Sequence, residues 1–221
     1  MTLNSIITPM NFTLVRDAVC QLLANERDAQ IELAQSLDVD NWLAQNLSFV
    51  VYPKRFRFPD IKDMPCVFVY INEMEFPEDL QDIYENFAHA NLQIDYYAVG
   101  KAETGIVNGE KVLIRTADEN AADRLEYLTA QIYKTLCNEN NVKKGTNGLV
   151  TRTRVKKWER VITPEDTNTA ATVLGASFSL ELGFNEPTYY ANTTQVQEFY
   201  STLEVKDEFI DPFVRRTLGN E

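Results

Sequence analysis

The sequence predicts an α+β fold in which an antiparallel or mixed β-sheet is backed by two main helices, in the order α-β-β-α-β-β, with an arm at each end. Three observations carry this expectation. Two stretches, residues 14–23 and 121–136, repeat apolar residues at helical spacing. The segments between and after them alternate at period two or are rich in β-branched and aromatic residues. The ends lack any periodic apolar face. At 221 residues, 44% hydrophobic and 24% charged, the chain suits one domain over residues 11–186, with arms at 1–10 and 187–221.

From residue 11 to residue 48 there is no Gly and no Pro, and Leu14, Ala18 and Leu22 recur beside Val15, Val19 and Leu23. A helix from about Thr13 follows, capped by Asn11 or Thr13, with a break near Asn25 before a second helical piece at 31–37. The run Cys66-Val67-Phe68-Val69-Tyr70-Ile71 is apolar on both faces, as in a central strand. In the strand at 92–99, Leu92, Ile94, Tyr96 and Ala98 alternate with Gln93, Asp95 and Tyr97. Asn108-Gly109 between short apolar flanks predicts a small hairpin. Thr116 or Asp118 can cap the second helix, in which Ala121, Leu125, Leu128, Ile132 and Leu136 form one stripe with acids in the first turn. The last two strands, 149–162 and 171–184, form a hairpin about a turn, and Phe178, Leu180, Leu182 and Phe184 alternate with Ser177, Ser179 and Glu181.

No stretch approaches the roughly 18 to 20 apolar residues of a membrane span, and residues 1–12 have neither a positive n-region nor an apolar h-region. A protein that stays where it is made, away from membranes, is expected, so the Asn-x-Ser/Thr matches at Asn11, Asn46 and Asn192 carry no meaning. Cys20, Cys66 and Cys137 are scattered, odd in number and set in apolar sequence, which reads as three buried free thiols.

Catalytic signatures are sparse, and no enzyme, cofactor or metal is expected. His89 is the only histidine and stands near the start of a strand, where a structural role is expected; it has no companion for a metal and no Ser or Cys in a nucleophile-elbow context. The stretch 143–148, "KKGTNG", runs from helix to strand and matches neither phosphate-loop spacing, so it reads as a helix stop whose lysines suit the dipole.

Charge is the strongest remaining signal. Residues 63–100 hold eight acids and no Lys or Arg, while residues 143–160 hold seven positive charges and one negative, leaving −18 on the remainder of a −12 chain. On a regular strand Arg152, Arg154 and Lys156 share one face. Nucleic acid is a poor fit, because the acidic remainder repels the phosphates that a basic ridge attracts. Two uses stay open: a salt-bridged surface within one monomer, or head-to-tail association of copies, positive ridge on acidic strand, closing into a ring. On the second, Arg152, Arg154, Lys156, Lys157 and Arg160 face Glu73, Glu75, Glu78 and Asp79 of a neighbour or partner, and Trp158 is the apolar anchor.

The first helix at 14–23, Met64-Pro65-Cys66-Val67-Phe68-Val69, the strand at 92–99, the helix that starts at Ala121-Ala122-Asp123-Arg124-Leu125 and the closing strand at 177–184 together resemble the tail terminator, or tail completion, proteins of long-tailed bacteriophages and their head-tail joining relatives. The resemblance covers residues 10–186. It implies an α/β sandwich assembling as a hexameric ring in the virion neck, put together in the host cytoplasm, that ends polymerisation of the tail tube. Its implied partners are itself, the tail tube and sheath proteins, and a head-completion or connector protein, with DNA passing through the lumen without specific binding. An acidic balance suits such a channel. The longer N-terminal helical region, the excursion at 100–115 and the C-terminal arm depart from the pattern. Another neck ring protein is one alternative, and a small-ligand or nucleic-acid binding module of the same layers is another.

Overall fold

The computed structural model describes residues 10–37, 46–54, 58–78, 85–141, 144, 146, 148–161 and 171–187. The expected arms at 1–9 and beyond Pro187, the part of the expected N-terminal helical region at 38–45 and the expected turn at 162–170 lie outside them. Helix α1 (Asn11–Ser36) is followed by β1 (Val50–Tyr52), β2 (Cys66–Glu75), β3 (Glu85–Lys101), β4 (Glu103–Val107) and β5 (Glu110–Arg115). Helix α2 (Ala117–Cys137), β6 (Val150–Val161) and β7 (Ala171–Pro187) complete the order. The main sheet runs β1-β2-β3-β7-β6, and β4 and β5 form a separate two-stranded ribbon. Among the described residues only the β1–β2 pair is parallel. The fold is therefore the expected α+β arrangement, a mixed sheet with two main helices.

Both helices pack on one face of the sheet. Val15, Val19 and Leu23 of α1 and Leu125, Leu128 and Ile132 of α2 join the alternate residues Leu92, Ile94 and Tyr96 of β3 and Leu180, Leu182 and Phe184 of β7 in the main core. These strand positions are fully buried because β3 and β7 sit in the middle of the sheet, paired from Glu85↔Pro187 to Lys101↔Ala171. A smaller cluster of Cys66, Phe68 and Tyr97 closes the start of β2 on the other face, with Tyr52, Phe58 and Met64 over it. Beyond Phe68, β2 has no outer neighbour among the described residues. Within them it is central for three residues and an edge for the rest.

Three local expectations change. Helix α1 is continuous through Asn25, which is exposed and accepts the Gln21 side-chain amide at 2.7 Å, an i to i+4 pair that leaves no reason to break. Neither Asn11 nor Thr13 caps it. The Glu186 carboxylate does, accepting the backbone N–H groups of Asn11 at 2.9 Å and Phe12 at 2.6 Å. Cys137, at the end of α2, is exposed, whereas Cys20 and Cys66 are buried as expected.

The other signals translate directly. Thr116 and Glu119 form a reciprocal capping box at the start of α2. Asn108 and Gly109 both have positive φ, 53° and 85°, as the tight turn of the β4–β5 ribbon requires. Lys144 ends α2: its buried ammonium donates to the carbonyls of Leu136 at 2.6 Å and Asn141 at 2.9 Å. Burial lowers its pKa below the ordinary lysine value. It is thereby removed from the basic ridge, and Lys143 lies outside the described residues.

Candidate functional site

The face of the sheet away from the helices carries the charges singled out in the sequence. Arg152 and Arg154 of β6 lie opposite Gly183 and Glu181 of β7. Lys156 falls in a β-bulge between Val155 and Lys157, yet its ammonium still reaches the Glu181 carboxylate at 3.6 Å on that face. With Glu73, Glu75 and His89 across the sheet, Arg152, Lys156 and Glu181 line one groove of about 280 Å³. The structure thus brings four predicted residues, Glu73, Glu75, Arg152 and Lys156, around a single groove of a single chain. Glu78 is exposed past the end of β2, and Asp79 lies outside the described residues.

The bulge has a second effect. One extra residue reverses the parity of everything after it. Lys157 and Glu159 continue the open face, 2.5 Å apart as an ion pair, while Trp158 and Arg160 pair with Phe178 and Ala176, which face the helices. Trp158 is 46% exposed there, and its indole N–H donates to the Tyr96 hydroxyl at 2.7 Å. It does not stand beside the arginines as the regular alternation implied.

Further along the open face is a polar cluster that charge counting missed. Asp95, 2% exposed, accepts hydrogen bonds from the Tyr70 hydroxyl at 2.9 Å and the Ser177 hydroxyl at 2.8 Å. Gln93 donates to Ser177, and Ser179 donates to Asn91 at 2.5 Å. Asp95 is a buried, fully engaged acceptor and no part of a solvated acidic surface. The signal was present in the alternation of Asn91, Gln93 and Asp95 with apolar residues, facing the serines of β7.

His89 lies within β3 and not at its start. Its ring meets Phe87 edge-on at 5.0 Å, and its Nδ1 is buried without a hydrogen-bond partner among the described residues. Among the described residues no group of three or more His, Cys, Asp or Glu side chains is placed to hold a metal ion. Nor is any described helix long and apolar enough to cross a membrane.

The chemistry this face offers is recognition. Arg152 and Arg154 on this face, and Arg160 on the opposite one, make no ion pair among the described residues, so guanidinium groups on both sides of β6 are available to carboxylates. Charges on an edge strand also prevent uncontrolled pairing with another sheet edge, so contacts there are made by side chains. Compared with protein-family models and with curated proteins, the sequence matches none.

Proposed function

We propose that the chain is a structural assembly protein of a long-tailed phage, forming a ring at the head-proximal end of the tail that ends tube polymerisation and offers the docking surface for the head. The observation that supports this reading is the placing of opposite charges at the two margins of one sheet. At one margin β6 presents Arg152, Arg154, Lys157 and Arg160; at the other, β2 runs past β1 and presents Glu73 and Glu75. Arg152 and Lys156 share one groove with Glu73 and Glu75 of the same chain, while Arg154 and Arg160 lie outside that groove and are offered to a second copy, where a rotation that closes the contact gives a ring. The −12 net charge suits a lumen through which DNA slides without sticking.

The test is negative-stain electron microscopy of the full chain mixed with growing tail tubes of a phage that encodes it. The reading expects a ring seated on one end of each tube and growth stopped there. Tubes that keep growing with bare ends overturn it.

A further inference from the structure

The β4–β5 ribbon and the groove between the two helices lie at opposite ends of α2, and each has something unmet. Ile106, Val107, Val112, Leu113 and Ile114 of the ribbon are 42% to 80% exposed. A Cβ at Gly105 would collide with Ile114, so the glycine lets that side chain lie flat across the ribbon. A lone two-stranded hairpin is marginal in water, and one that displays five aliphatic side chains is a surface that gains by being covered.

The groove, of about 430 Å³, has Glu26 and Gln30 of α1 on one wall, Tyr127, Gln131 and Lys134 of α2 on the other, and Leu47 beside them. Gln131 is 8% exposed, and neither its side-chain oxygen nor its nitrogen has a partner among the described residues. Buried amides are ordinarily paired, so this one is a donor and an acceptor in want of a complement.

We propose that the ribbon tip of one copy seats in the α1–α2 groove of the next. The turn at Asn108-Gly109 supplies a backbone carbonyl and N–H to the Gln131 amide. Glu110 and Lys111 at the tip match Lys134 and Glu26 on the two walls in charge, which fixes the orientation. The ribbon ends at Arg115 and the groove residues of α2 begin at Tyr127, about 15 to 25 Å along the helix axis, so the fit joins two copies head to tail. This contact rests on the ring reading and adds a second pair of surfaces to the charged margins of β6 and β2.

Two full-length variants test it, both altered at exposed positions: Ile106→Asp with Ile114→Asp on the ribbon, and Ala130→Trp in the groove. In sedimentation velocity the wild-type chain self-associates, and each variant alone runs as a monomer with an unchanged melting temperature. An equal mixture gives a one-to-one dimer and nothing larger, because one variant keeps its groove and the other its ribbon. Variants that assemble like wild type overturn the contact and leave the ring reading standing. A mixture without dimer, or a wild-type chain that never self-associates, also overturns it. Complementing variants together with uncapped tubes retain the contact and remove the ring reading.

Discussion

Glu186 and Phe12 are 174 residues apart in the chain, and the carboxylate of the first accepts the backbone N–H of the second at 2.6 Å. This bond and its companion from Asn11 fasten the start of α1 to the end of β7. Replacing Glu186 with Ala leaves two N–H groups at a half-buried helix terminus without their partner. The expected loss is about 1 to 3 kcal/mol, read from urea unfolding followed by circular dichroism.

The same carboxylate gives the pH dependence a sign. Burial raises the Glu186 pKa above its ordinary value, against the pull of the two N–H bonds, so the folded state keeps the proton to higher pH than the unfolded chain. Its contribution is complete below the unfolded value of about 4.3 and is lost as pH rises through the raised folded value. The stability of wild type minus that of Glu186→Gln should therefore decline with rising pH through that window and then level off. A difference that grows with pH would contradict this.

Trp158, Tyr96 and Thr129 form a directed chain. Thr129 gives its hydroxyl proton to the Leu125 carbonyl at 2.7 Å, so Tyr96 donates to Thr129 at 2.9 Å and accepts from the indole. Each neutral bond contributes about 1 kcal/mol. A double-mutant cycle of Trp158→Phe and Tyr96→Phe should return a coupling energy of about 0.5 to 1.5 kcal/mol. Additive losses would mean that the indole bond does not persist in solution.

Gly100 lies where α2 meets β3, and a Cβ there would run into the Ala117 carbonyl and the Ala121 backbone. Both are main-chain atoms of a capped helix and cannot step aside. Gly100→Ala should cost about 1 to 3 kcal/mol, seen as a lower denaturation midpoint.

The thiols should separate by reactivity. Burial pushes the Cys66 thiol up to about 12 and the Cys20 thiol higher still, while Cys137 is exposed. Ellman's reagent should titrate Cys137 alone in the native protein and all three cysteines in denaturant. Rapid native reaction of Cys20 or Cys66 would show that the core opens readily.

Reversing Arg152 and Arg154 to Glu should weaken assembly while moving monomer stability by less than about 1 kcal/mol, since both are exposed. Melting temperature and sedimentation profile measured on one sample separate the two effects. Unchanged oligomers would make this strand a solvated edge.

Local elements were legible because their signals are local. Helix α2 announced itself through its apolar stripe and the capping position at Thr116 or Asp118, and the ribbon through Asn108-Gly109. The role of Asp95 is not legible in its neighbours, because its burial depends on Tyr70 and Ser177, which are 25 and 82 residues away. Trp158 was misplaced because a single-residue bulge at Lys156 leaves no mark on composition, yet it turns every later side chain over. Glu186 looked like one more acid, since nothing near it in sequence says that a helix begins beside it.

The clasp at Glu186 also sets how the body would answer a mechanical load. Asn11 adds a third bond to that corner, its side-chain amide donating to the Asn185 carbonyl at 2.6 Å. Tension applied between the first residue of α1 and the last of β7 therefore enters and leaves at one point. It pulls on three hydrogen bonds, then peels β7 from Pro187 inward, one pair after another, and never draws the long β3–β7 ladder in shear. Whatever grips the body at Asn11 and Pro187 holds it at its weakest angle, whereas a grip on the far end of β3 would meet the whole sheet.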